Sequence, residues 1–335
     1  MRAIAITLVV IGHIPSSEIN PDIHKWIYSF HIPLFFFISG ITLSFTNYRK
    51  NSLKTILKKR FCHIYIPYLI WAILLSLPNI SLLSIPRILY GTHQSIATVS
   101  NSSLWFLPVL FLSTILLDTI IFFFTIKHNY TSKLPIILPI LLIIALLIPS
   151  QATIQEILSG HNLPFGLDIV PMAATFMLSG YLTKSFILRY NFSPYLLLAI
   201  APITITLITF FGLNNNTSYV LMAENRYGNF CYFFVAAISG ITISSIASFF
   251  ISRYTKNLSK LMQKIGENTL IIFILQRYTL ALTNEAITSI PAFHIPNIMI
   301  IPINIFITIP TCLIISIFVK KYTPILVGNM TKPTS

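Results

Sequence analysis

Between residues 103 and 126 the chain places a single charged side chain, Asp118, in an apolar run as long as a bilayer core is thick. At 1.5 Å per residue, about 20 apolar residues cross a hydrocarbon layer of ~30 Å. Runs of this kind recur along all 335 residues, near 2–15, 28–47, 63–85, 103–126, 133–150, 164–183, 193–213, 229–252, 268–289 and 297–319. Lipid offers the backbone no hydrogen-bonding partner, so such runs must close their bonds internally as helices. Only 9% of the residues are charged and 55% are hydrophobic, against about 25% charged in a soluble domain. The expected fold is all-α: a polytopic integral membrane bundle of about ten transmembrane helices, with residues 1–335 forming one domain.

A net charge of +14 invites a nucleic-acid reading, but its distribution argues for topology instead. With the N-terminus inside, the inner segments carry Arg2, the group Arg49, Lys50, Lys54, Lys58, Lys59 and Arg60, then Lys127, Lys133, Lys184, Arg189, Arg253, Lys256, Lys260, Lys264, Lys320, Lys321 and Lys332. Outer loops keep Lys25, Arg87 and Arg226, and Arg277 falls inside a span. This is the positive-inside pattern, with both termini cytoplasmic and some affinity for anionic membrane lipid. Within residues 48–62, Leu53, Ile56, Leu57 and Phe61 recur at helical spacing beside Lys54, Lys58, Lys59 and Arg60, which reads as a short basic amphipathic segment anchored at the inner surface. Cys62, Cys231 and Cys312 show neither paired nor metal-ligand spacing, so no metal is expected.

Ionisable residues within spans are functional candidates, because burying them is unfavourable. Arg2 and His13 lie eleven positions apart, about three helical turns, so they share one helix face about 16 Å apart along the axis. Neutral imidazole suits His13 to general-base work, and Arg2 can hold a phosphate or polarise a carbonyl at the inner end of the same helix. From Arg2 to Pro15 a helix covers only about 20 Å, so either Arg2 sits inside the bilayer or the span begins upstream of the recorded start. His31 opens the second span below Trp26 and Tyr28, within reach of His13 if the first two helices pack together. Ser39 and Gly40 offer a small surface for close helix approach, and the Ser39 hydroxyl is a candidate substrate contact. Asp118 and Arg277 are expected to pair, which lowers the cost of burying each. Asp168 and Glu285 lie near outer ends, facing water. Asn225-Arg226-Tyr227-Gly228-Asn229 has the composition of a turn capping the eighth span, with Arg226 and Asn229 placed to bind substrate from outside.

Several of these stretches resemble, in order and nearly end to end, the membrane-bound acyltransferase-3 family, in particular its fucose 4-O-acetylase-like branch. They are Arg2-Ala3-Ile4-Ala5 with His13 eleven positions after Arg2, Phe30-His31-Ile32-Pro33-Leu34-Phe35-Phe36-Phe37-Ile38-Ser39-Gly40, and Lys59-Arg60 followed by Pro67-Tyr68-Leu69-Ile70-Trp71. Further on come Leu104-Trp105-Phe106-Leu107-Pro108, Phe176-Met177-Leu178-Ser179-Gly180-Tyr181, Arg226-Tyr227-Gly228-Asn229 and Ile265-Gly266-Glu267-Asn268-Thr269-Leu270. The resemblance implies a multi-pass protein of the bacterial cytoplasmic membrane that moves an acyl group, usually acetyl from acetyl-CoA, to a sugar hydroxyl of a surface glycan or its lipid-linked precursor. It also implies that His13 is the essential histidine, Arg2 its paired arginine and Arg60 the cation of the cytoplasmic loop, with Arg2 and Arg60 on the donor. Gln276 stands where a histidine is common, and His63 where a second basic-loop arginine is common.

A multi-span bundle with buried charges also fits a transporter or flippase for a glycan or lipid-linked sugar. A sensor or assembly partner without catalysis would fit Gln276. Covalent transfer of labelled acetyl separates the enzyme from both. The residues name neither the acceptor sugar nor the oligomeric state.

Overall fold

The computed structural model describes residues 1–15, 20–79, 81–127, 131–148, 151–158, 163–189, 193–216, 219–288 and 297–329. Among the expected inner cations, Lys332 and the side chains of Lys127 and Arg189 lie outside the described residues. The described residues are mostly helical, with no strand among them and one isolated bridge between Leu221 and Arg226. Among the described residues six helices are long and apolar enough to cross a membrane: Pro21–Leu43, Ser102–Ile126, Pro164–Lys184, Pro194–Asn215, Phe230–Tyr254 and Met299–Tyr322. Two shorter apolar helices, Arg2–Gly12 and Ser132–Leu147, occupy two further expected spans. Thr269–Thr288 is helical too, but Gln276, Arg277, Asn284 and Glu285 lower its hydropathy.

The chain forms two compact units, one built from Met1–Phe35, Phe192–Val220 and Tyr227–Tyr322, the other from Phe36–Asn191, Leu221–Arg226 and Thr323–Ser335. In the first unit, Arg2–Gly12 packs on Lys256–Gly266, Thr269–Thr288 and Asn297–Tyr322. Its Ala3, Ala5, Ile6, Val9 and Val10 are all buried, as expected of a helix enclosed by neighbours rather than lying on a surface. The next helix begins at Pro21, earlier than its apolar run implies, because Asn20 accepts from the Asp22 amide (2.8 Å) and Pro21 at the first position has no amide to leave unsatisfied. Phe30 seats its ring against Gly240, where an added Cβ would fall 2.1 Å from the ring.

The last two long helices share a polar seam. Asn304, Thr308, Cys312 and Ser316, four residues apart on Asn297–Tyr322, are all buried. So are Gln276, Thr279 and Thr283 on Thr269–Thr288, and the Thr279 hydroxyl lies 3.9 Å from the Cys312 sulfur. A spacing of four keeps such side chains on one helix face.

In the second unit, the basic amphipathic segment is the helix Leu53–Arg60, capped by Ser52. A π-helical turn, Phe61–Tyr65, carries it directly into Ile66–Ser76. The chain's tail docks on this rod, with the Trp71 indole donating to the Leu326 carbonyl (2.9 Å). His31–Leu43 crosses Val170–Arg189 at two glycines. A Cβ on Gly40 would lie 1.7 Å from the Met177 carbonyl oxygen, and one on Gly180 would lie 2.0 Å from that of Phe37. The Ser-Gly pairs of both motifs therefore mark one backbone-to-backbone crossing, the close approach expected at Ser39-Gly40.

Candidate active site

Arg2–Gly12 is one uninterrupted helix and His13 caps its end, so the spacing of Arg2 and His13 is realised on a single rod. The His13 Nδ1 lies 2.8 Å from the Val9 carbonyl. A carbonyl can only accept, so Nδ1 carries the proton and the Nε2 lone pair is the ring's basic site. His31 repeats this device, with Nδ1 2.9 Å from the Ile27 carbonyl.

Tyr28 joins the two histidines. Its hydroxyl donates to the Gly12 carbonyl (3.1 Å), and its ring meets that of His31 edge-on with centroids 4.7 Å apart. Gly12 makes this approach feasible, since a Cβ there would already stand 3.2 Å from the Tyr28 ring. The juxtaposition of His13 and His31 expected from the packing of the first two helices is thus realised around a tyrosine.

Gln276 stands on the Nδ1 side of His13, its amide nitrogen 3.5 Å from that atom, while its Oε1 is buried without a partner. The one Nδ1 hydrogen is already given to Val9, so Gln276 meets the ring by close contact at that nitrogen. An amide, unlike the histidine common at this place, cannot act as a base. Arg277, the next residue, acts electrostatically on both His13 and Tyr28.

At the other end of the first helix, Met1, Arg2, Ser248, Ser252, Gln263 and Glu267 line a cleft of about 310 Å³. The N-terminal ammonium donates to the Ser248 hydroxyl (2.9 Å). Gly266, at the joint between Lys256–Gly266 and Thr269–Thr288, lies against the Arg2 stem, which stands 3.5 Å from where a Cβ would be, an ordinary contact distance. Asn268 ties that joint by donating to the Lys264 carbonyl (2.6 Å), which accounts for the Gly266-Glu267-Asn268-Thr269 motif.

In the second unit the partner of Asp118 differs from the one expected. Its fully buried carboxylate takes the Arg60 Nε at 2.8 Å and the Tyr48 hydroxyl at 2.7 Å, so Arg60, not Arg277, neutralises it. The physical reason is reach: Leu53–Arg60 runs on into the span and delivers Arg60 to the depth of Asp118. Arg60 also donates through Nη2 to the Thr46 hydroxyl (2.7 Å) and is 22% exposed. Beside it, Lys184 donates to the Ser44 carbonyl (2.9 Å) and lies 3.8 Å over the Phe45 ring. Ser39 belongs to the glycine crossing described above.

The segment 225–229 is the expected turn, with Asn225 and Gly228 at positive φ of 52° and 66°. Asn229 accepts from the Tyr232 amide (3.2 Å) and so caps Phe230–Tyr254, while the buried Asn216 donates to the Tyr227 carbonyl and accepts from the Asn229 amide, both at 3.0 Å. Arg226 is paired with Glu224 at 2.7 Å, both side chains in contact with solvent. Asn229 thus performs the capping of the eighth span that the composition of this segment implied.

Residues that sequence reasoning passed over include His24, Tyr48 and Tyr219. His24 is 6% exposed, and its Nε2 is buried without a hydrogen-bond partner. It lies two turns before His31 on the same amphipathic rise, a signal hidden because Pro21-Asp22-Ile23-His24-Lys25 reads as a polar loop. Among the described residues no group of three or more His, Cys, Asp or Glu is arranged to hold a metal ion.

A family model described as an acyltransferase domain, acyltransferase-3, matches residues 1–317. No protein of curated function and no solved structure matches the chain.

Proposed function

Since the chain belongs to the acyltransferase-3 family and is a membrane acyltransferase, we propose that it moves acetyl from acetyl-CoA to a sugar hydroxyl of a bacterial surface glycan or its lipid-linked precursor. The observation that carries this reading is the His13 Nδ1 bond to Val9, which leaves Nε2 as a proton acceptor on a helix whose other end presents Arg2 to a cleft. His13 Nε2 takes the proton of the acceptor hydroxyl as its oxygen attacks the thioester carbonyl. The new C–O bond forms, the C–S bond breaks, and the proton passes from His13 to the departing CoA thiolate.

Arg2, beside the N-terminal ammonium, supplies charge for the donor's phosphates at the inner side. Arg60 is a second donor contact through Nη1, since its Nε and Nη2 are engaged by Asp118 and Thr46. His31, with its ring fixed by Ile27 and Tyr28, buttresses the base. Arg226, beside Glu224, is read as meeting a polar acceptor, and Ser39 and Asn229 as acting chiefly through packing and capping.

The test is acetyl transfer by purified membranes given radiolabelled acetyl-CoA, with the wild type set against His13→Ala. Loss of transfer by about 10²–10⁴-fold with normal membrane insertion is expected for a general base. Near-normal transfer by His13→Ala would remove it from the mechanism, and glycan crossing the bilayer with no acetyl incorporated would favour transport.

A further inference from the structure

Three imidazoles and two tyrosines meet in the first unit, and the chemistry above uses only part of that set. His24 precedes Tyr28 by one turn, with ring centroids 6.3 Å apart and nearly perpendicular. Tyr28 in turn contacts His31 at 4.7 Å and Tyr219 at 5.0 Å. Its hydroxyl is tied to Gly12, the residue before His13, and His24 is close enough to His13 to act on it electrostatically. A buried imidazole nitrogen without a partner is unfavourable, and this ring lies against Tyr28, whose hydroxyl is tied to the residue before the proposed base.

We propose that His24 is an acceptor-binding residue whose Nε2 accepts a hydrogen bond from a second hydroxyl of the sugar, next to the one His13 deprotonates, while Tyr28 and Tyr219 receive the apolar face of the ring. The substrate class that satisfies both imidazoles is a polyol with neighbouring hydroxyls, not a lone alcohol. A site built to bond a hydroxyl rejects an analogue lacking it, because its own polar group is then left unpaired. This rests on the acetyltransferase reading.

The experiment uses the full-length protein in detergent with radiolabelled acetyl-CoA. The acceptors are a panel of methyl hexopyranosides, the monodeoxy analogues of the best of them, and glycan from the parent membranes. His24→Phe keeps the ring and removes the acceptor atom; His24→Gln keeps an acceptor atom without the capacity to shuttle a proton. The expected result is a rise of about tenfold in acceptor KM for His24→Phe, an unchanged acetyl-CoA KM, and near-wild-type behaviour for His24→Gln. In addition, the penalty for deleting the neighbouring hydroxyl should vanish in His24→Phe. An acceptor KM unmoved by His24→Phe, a change in acetyl-CoA KM instead, or a deoxy penalty that persists in the variant overturns the assignment. Acetyl transfer to no acceptor at all by the wild type overturns the acetyltransferase reading itself.

Discussion

Asp118→Asn probes a buried ion pair, and the structure fixes how large its effect should be. The Asp118 side chain is fully buried and Arg60 is 22% exposed, with Nε–Oδ2 at 2.8 Å. Removing one partner of a buried pair costs about 3–5 kcal/mol because the other charge is left uncompensated. The amide of the substituted asparagine could still accept from Tyr48, and Arg60 keeps Thr46 and some solvent. The loss for Asp118→Asn should therefore fall to about 2–3 kcal/mol. Arg60→Met leaves a carboxylate with no route to water, so it should reach the full range of about 3–5 kcal/mol. The double variant should recover well below the sum, since two neutral side chains replace the pair. Equilibrium unfolding of the detergent-solubilised protein measures all three. Losses that add within about 0.5 kcal/mol, or an Asp118→Asn cost exceeding that of Arg60→Met, would refute the reasoning. The same set tests the donor role: the double variant should regain stability while its acetyl-CoA KM stays raised.

Gly40→Ala would bring a Cβ to 1.7 Å from the Met177 carbonyl oxygen, and ordinary contact begins near 3.4 Å. The crossing must open, and a loss of about 1–3 kcal/mol, read by thermal unfolding, should outweigh alanine's better helix propensity; a stabilised variant would contradict the crossing. Asn229→Ala removes the cap of Phe230–Tyr254 and should cost about 1 kcal/mol with kcat unchanged, whereas a selective rise in acceptor KM would give Asn229 a binding role after all. Gln276→Leu should lower kcat several-fold without changing acetyl-CoA KM, by leaving the His13 ring less well oriented; unaltered kinetics would show that Val9 alone positions it.

Apolar run length was enough to read an all-helical membrane protein, because it follows from the solvent a helix must face. The spacing of Arg2 and His13 and the Ser39-Gly40 surface were legible for the same reason, since local periodicity survives folding. The partner of Asp118 was not. Counting residues from an inner end gives depth but not the direction a side chain faces, and it gave no hint that the π-helical turn at Phe61–Tyr65 would continue the basic helix into the span. His24 was missed because capping by Asn20, not hydropathy, begins its helix. For Asn229 the turn composition and its place ahead of an apolar run already signalled a helix cap, and the structure has it.

The polar seam along Asn297–Tyr322 bears on how the protein is made. A helix entering the bilayer alone would turn Asn304, Thr308 and Ser316 towards lipid, where no acyl chain can answer their hydrogen bonds. Thr269–Thr288 has the complementary problem with Gln276, Thr279 and Thr283, compounded by its modest hydropathy. Each helix is the other's shelter, so biogenesis should favour release of the two from the translocon as one hairpin. On that account a chain truncated after residue 296 should fail to hold Thr269–Thr288 in the membrane.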